Sequence, residues 1–152
     1  MKHDYKKQGK RNRANGAAFE RRVRKDLEEK GWIVSKWQNN LDYPKENINL
    51  PSEERKDLQC ISAKASRFRL STTGFPDFFC YKTYIFSGRK GSWTEDVNMK
   101  EVVFVEVKTN GYMDKLEKEK AKWYLENNYC SKFLVAKKEK VKNRIKVIYK
   151  EF

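Results

Sequence analysis

Residues 101–108 read EVVFVEVK. The run from Val102 to Val107 is β-branched and nearly continuous, the pattern of a central strand covered on both faces. Side chains alternate along a strand, so Val103, Val105 and Val107 take one face. Phe104, Glu106 and Lys108 take the other. An acid and a base therefore emerge side by side from a core strand. Burying such charges costs several kcal/mol or more unless they are paired or hold a metal.

Downstream, Gly111 breaks the strand and a helix is expected to begin near Asp114. On it Leu116, Lys120, Trp123 and Tyr124 fall at helical spacing, which puts Lys120 on an otherwise apolar stripe. KFLVAK (132–137) and RIKVIYK (144–150) read as two closing strands joined by a charged turn. Upstream, NGAAFERRVRKDLEEKG (15–31) predicts a helix with Asn15 as N-cap and Gly31 as its stop. Phe19, Val23 and Leu27 form its apolar stripe, and Glu20 sits on the edge of that stripe. WIVSKW (32–37) and FPDFFCYKTYIF (75–86) read as strands, and SGRKGSW (87–93) as a glycine-bearing turn. Residues 38–73 are irregular, with a short helix expected after Ser52. Residues 1–15 are basic and almost free of aliphatics, the composition of a flexible tail. The order α-β-β-β-α-β-β implies one α/β domain over 16–152: a mixed central sheet flanked by helices.

The 152-residue chain carries 35 Lys and Arg against 21 Asp and Glu, a net charge of +14. Such an excess argues for a polyanionic partner, nucleic acid first and an anionic membrane surface second. No apolar segment approaches the roughly 20 residues that span a bilayer, and no signal peptide is evident at the N-terminus. A cytoplasmic, membrane-free setting is the expectation. Cys60, Cys80 and Cys130 make a poor disulfide framework. His3 is the only histidine, which argues against histidine triads and His-rich zinc sites. Catalysis would fall to carboxylates, lysine or a hard metal.

Glu20, Asp77, Glu106 and Lys108 are the candidate catalytic residues. Each has a plainer role: a solvated helix acid for Glu20, a turn cap for Asp77, and an exposed ion pair for Glu106 with Lys108. Taken together on a central strand and its neighbours, they match a chemical need. Carboxylates can bind Mg²⁺, which neutralises phosphate charge and lowers the pKa of water. A lysine beside them can orient the water and stabilise developing charge.

GFPD (74–77) followed by VEVK (105–108) resembles the PD-(D/E)XK nuclease superfamily, which has the restriction-endonuclease-like fold. Asp77, Glu106 and Lys108 match its motif. The helix bearing Glu20 is similar to the first core helix, whose glutamate often assists the metal site. EVKTNGYMDKLEKEKAKWYL (106–125) resembles the VRR-NUC branch, with Leu116 and Trp123 in place and Lys120 where a glutamine is expected. The segment 16–34 is similar to the opening of archaeal Holliday-junction resolvases. The resemblance implies a Mg²⁺-dependent endonuclease acting on DNA, with Mn²⁺ as a substitute, on branched or flapped structures. It also implies a homodimer, and metal ligation by Asp77, Glu106 and the Val107 carbonyl. The alternatives are a non-catalytic nucleic-acid-binding protein on a nuclease-like fold and a basic RNA-binding scaffold. In each, Lys10, Arg11, Arg13, Arg67, Arg69, Arg89, Lys90 and Lys120 are the candidate nucleic-acid contacts, most of them to phosphate. Trp93 and Phe68 are candidates for stacking on unpaired bases.

Overall fold

The computed structural model describes residues 5–42, 58–62, 74–90, 93–142 and 144–152, and the backbone alone for 86–90 and 93–98. Its elements are α1 (Tyr5–Glu29), β1 (Ile33–Lys36), β2 (Asn39–Asp42), β3 (Gln59–Ser62), β4 (Phe78–Lys90), β5 (Trp93–Val107), α2 (Lys115–Glu126), β6 (Lys132–Val141) and β7 (Arg144–Glu151). Five strands form one sheet in the order β1-β4-β5-β6-β7. β5 and β6 run parallel, joined through α2, and the remaining pairs are antiparallel. The sheet is therefore mixed, and apart from the separate β2–β3 pair the elements follow the expected order α-β-β-β-α-β-β.

β5 is central, and its two faces make two cores. Val103 and Val105 pack with Phe19, Val23 and Leu27 of α1, together with Val34, Phe78 and Cys80. Phe104 packs on the opposite side with Ala121 and Tyr124 of α2, and with Phe133, Val135 and Leu41. Full burial of each such side chain contributes about 1.5–3 kcal/mol, so the alternation of Val102–Val107 fixes which helix covers which face.

α1 ends where the sequence predicts. Gly31 has φ +82°, its amide donates to Glu28 O at 2.9 Å, and the Trp32 amide donates to Leu27 O at 3.1 Å. This left-handed stop is open to glycine at little cost. The start differs. α1 begins at Tyr5, not at Asn15, so residues 5–14 are helical, in contrast to the expected tail. Lysine, arginine and glutamine favour helix there and no proline interrupts it, while its side chains are exposed almost throughout.

Three further expectations are corrected. The strands reach into the segment 87–93 expected as a turn: β4 continues to Lys90 and β5 starts at Trp93, in register from Phe78↔Val105 out to Lys90↔Trp93. Backbone pairing along a long hairpin overrides the turn signal of Gly88. The irregular insertion contains a two-stranded ribbon in which β2 pairs antiparallel with β3. Leu116 is 45% exposed, and the buried face of α2 runs instead through Ala121 and Tyr124. The short helix expected after Ser52 falls outside the described residues. Among the described residues, no helix is long and apolar enough to cross a membrane.

Candidate active site at the β4–β5 edge

Asp77 immediately precedes β4. One step beyond the last registered pair, Phe78↔Val105, it lies opposite Glu106. Both carboxylates take backbone amides: the Asp77 amide donates to Glu106 Oε2 at 3.2 Å, and the Val107 amide donates to Asp77 Oδ2 at 2.9 Å. Each carboxylate is thus oriented by backbone from the other strand.

The segment leading into Asp77 is fixed from both sides. Gly74 lies so close to the backbone of Trp37 that an added Cβ would stand 2.1 Å from Trp37 O. The Phe75 amide donates to Asn39 O at 2.9 Å, and the Trp37 amide to Asp77 O at 3.2 Å. Below it, the buried Tyr124 hydroxyl donates to Phe75 O at 2.9 Å and accepts from Trp37 Nε1 at 3.2 Å. Trp37, Phe104 and Tyr124 close around this hydroxyl, with ring centroids 4.9 Å apart for Trp37–Phe104 and 5.0 Å for Phe104–Tyr124. The peptide bond between Phe75 and Pro76 is cis.

Lys108 leaves the end of β5 and places Nζ 3.2 Å from Glu106 Oε1. The same ammonium makes a short charge-assisted hydrogen bond to Glu117 Oε1 in the first turn of α2. Glu117 also completes the N-terminal cap of that helix. Its Oε2 accepts from the Asp114 amide at 3.0 Å, and its own amide donates to Asp114 Oδ1 at 2.8 Å. This is a reciprocal capping box.

Glu20 and Lys36 form an ion pair at 2.5 Å on the α1 side. Both act electrostatically on Asp77. Lys120 lies on the α2 side, donating to Asn40 Oδ1 at 2.8 Å with its ammonium 5.9 Å from the Phe75 ring centroid.

Protonation follows from this crowding. Burial, then the charge of Asp77, pushes the Glu106 carboxyl up to about 8. Burial likewise raises Asp77, and the negative charge of Glu20 adds to it, against the Val107 amide, Lys36 and Lys108. Lys108 is raised: burial works against its charge, but the bond to Glu117 and the charge of Glu106 prevail. Lys120 is lowered by burial despite nearby carboxylates, Glu106 and Glu117 among them. Asp77 and Glu106 therefore form a carboxylate pair with less positive charge around it than full ionisation of both needs.

That deficit suits a hard cation. Among the described residues, no group of three or more His, Cys, Asp or Glu side chains is arranged to hold a metal ion. Two carboxylates nevertheless meet the usual protein share for Mg²⁺, which keeps several waters and takes further oxygens from substrate phosphate.

The structure thus brings Asp77, Glu106, Val107 and Lys108 together, with Glu20 in electrostatic reach and Lys120 nearby. Lys10, Arg11 and Arg13 lie on the exposed first half of α1. Arg89 and Lys90 close β4, where only the backbone is described, and the same holds for Trp93 at the start of β5. Arg67, Arg69 and Phe68 lie outside the described residues. Sequence reasoning missed two residues. Glu117 was visible only as the fourth residue of the D-x-x-E cap signature, which says nothing about Lys108. Lys36 carried no signal, since its pairing with Glu20 depends on how α1 lies against β1. No protein-family model, curated protein or solved structure matches this chain.

Proposed function

We propose that this chain is a Mg²⁺-dependent endonuclease that hydrolyses phosphodiester bonds in DNA, with a restriction-endonuclease-like core of the PD-(D/E)XK kind. One observation carries the reading: the Asp77–Glu106 pair, each carboxylate held by a backbone amide, with Lys108 Nζ 3.2 Å from Glu106. A carboxylate pair beside a lysine, with Glu106 buried and Asp77 partly so, has a physical use where a cation and a phosphate complete the charge balance.

Asp77 and Glu106 would hold the metal, with the Val107 carbonyl as a third ligand. A bound Mg²⁺ would neutralise phosphate charge and make water a better nucleophile at neutral pH. Lys108 is the cation next to this pair. Its ammonium would orient the attacking water and offset charge that builds on the phosphate. Glu20 sets the charge on the far side of Asp77, and Lys36 neutralises it in turn. Lys10, Arg11 and Arg13, on an exposed and strongly basic stretch of helix, would contact the phosphate backbone without reading sequence. Contacts of this kind follow the shape of the phosphate backbone, so recognition of branched or flapped DNA is favoured over a long sequence read. A homodimer would bring two such sites to two strands.

The test is incubation of the protein with labelled junction, flap, duplex and single-stranded DNA, with Mg²⁺, with Mn²⁺ and with EDTA. Cleavage that requires the metal and disappears in Asp77→Asn and Glu106→Gln is the expected result. Tight binding with no cleavage under any of these conditions would leave a non-catalytic nucleic-acid-binding protein.

A further inference from the structure

Glu117 serves two structures at once. One carboxylate oxygen receives the backbone amide of Asp114 and so belongs to the cap of α2. The other receives the Lys108 ammonium. Asp114 Oδ1 closes the box by accepting from the Glu117 amide. A capping box asks only the first contact of its glutamate side chain. Here the side chain is only 22% exposed and bridges to a residue on the central strand.

We propose that Glu117 is a positioning residue that fixes Lys108 beside the Asp77–Glu106 pair by tying the lysine to the first turn of α2. The proposal rests on the nuclease reading of that pair. Lysine has a long, flexible stem, and its ammonium is a point charge with no directional fork. Contact with Glu106 alone, at 3.2 Å, leaves it free to swing. The second carboxylate converts one tether into two, and the rigid cap anchors the second tether. Both oxygens are needed, because each takes a different donor. A glutamine offers one acceptor oxygen and an amide that repels the ammonium, so it can keep the cap or the lysine but not both.

The experiment compares Glu117→Gln with Asp114→Ala. Asp114→Ala removes the side-chain half of the cap but keeps the backbone amide that anchors Glu117. In Glu117→Gln, kcat should fall about 10–10²-fold, the scale expected when a reacting group is displaced by about 1 Å. KM for DNA should change little. Asp114→Ala should lower Tm by as much or more while losing far less kcat. A purely capping role predicts the reverse, with kcat following Tm in both. A second readout needs no cleavage: the ¹⁵N-lysine ammonium signal of Lys108, assigned by its loss in Lys108→Arg. A doubly held ammonium exchanges its protons slowly with water, and Glu117→Gln should speed that exchange several-fold. Unchanged exchange in Glu117→Gln would overturn the inference. A wild-type chain that cuts nothing, but whose Lys108 signal still depends on Glu117, would remove the nuclease reading and leave the positioning intact.

Discussion

Asp77 and Glu106 orient one another through backbone: the Asp77 amide holds Glu106 Oε2 at 3.2 Å, and the amide following Glu106 holds Asp77 Oδ2 at 2.9 Å. The pair is therefore a product of strand pairing and not of side-chain choice alone. Any change that slips β4 against β5 by one residue would place the carboxylates on opposite faces of the sheet.

The elevated Glu106 carboxyl makes stability depend on pH. In the folded chain it titrates at about 8, against an ordinary value of 4.5. Between those values the folded state holds a proton that the unfolded state has released. The contribution of this group is fully present below about 4.5, declines as pH rises, and is lost above about 8. Burial acts on Asp77 in the same direction. Urea unfolding in EDTA across this range should show that decline, and Glu106→Gln should flatten it. Added Mg²⁺ should stabilise the wild type, by about 2.7 kcal/mol at a hundred times its dissociation constant. Glu106→Gln should lose most of that gain.

Lys108→Ala should lower the single-turnover cleavage rate by 10²-fold or more, on the order of losses seen when a preorganised electrostatic group is removed. DNA binding should fall much less, because the basic surface remains. Lys108→Arg should restore binding more than turnover, since a planar guanidinium cannot reproduce the point contact with Glu106 and Glu117. Cleavage by Lys108→Ala at the wild-type rate would take the lysine out of the mechanism.

The first half of α1 carries Lys6, Lys7, Lys10, Arg11 and Arg13, all exposed, with no acid between Tyr5 and Asn15. Deleting residues 1–13 should weaken nucleic-acid binding equally for all sequences. The slope of log affinity against log salt should flatten by about 0.9 for each phosphate that is no longer neutralised. A weakening confined to one sequence would contradict a phosphate-only role.

Tyr124→Phe removes the hydroxyl that joins α2 to Phe75 O and Trp37 Nε1. The buried Phe75 carbonyl and the part-buried Trp37 indole N–H lose their partner, so unfolding experiments should show a loss of about 1–3 kcal/mol. Gly74→Ala should be worse for the site than for the core. Its Cβ would meet the Trp37 carbonyl at 2.1 Å and push away the segment that delivers Asp77. Cleavage should drop further than the change in Tm accounts for.

The strand at 102–107 and the helices on either side of it were legible because burial dictates their residues. Val103 and Val105 against Phe104, and Phe19, Val23 and Leu27 on α1, are periodic for a reason that acts locally in sequence. The start of α1 was not legible. Between Tyr5 and Asn15 no packing stripe distinguishes helix from tail, and Gly9 and Asn15 are weak helix formers. The far end of the β4–β5 hairpin was hidden because Gly88 reads as a turn while the ladder runs past it. β2 and β3 are four-residue strands with one buried side chain between them, Leu41. For the site, Asp77, Glu106 and Lys108 could be picked out by type and spacing. The engagement of Lys108 by Glu117 and of Glu20 by Lys36 could not, because each joins two elements whose approach is set only by the assembled sheet.

Trp37 and Gly74, far apart in sequence, bring their backbones into contact. In between, Asp42 faces Gln59 across the β2–β3 ribbon. Everything from 43 to 58 therefore begins and ends at neighbouring points. The ribbon keeps Asn40 against Lys120, with Leu41 in the core and Leu58 packed against it. Two adjacent ribbon residues thus act as a clamp: Asn39 O takes the Phe75 amide of the segment that delivers Asp77, and Asn40 Oδ1 takes Lys120 of α2.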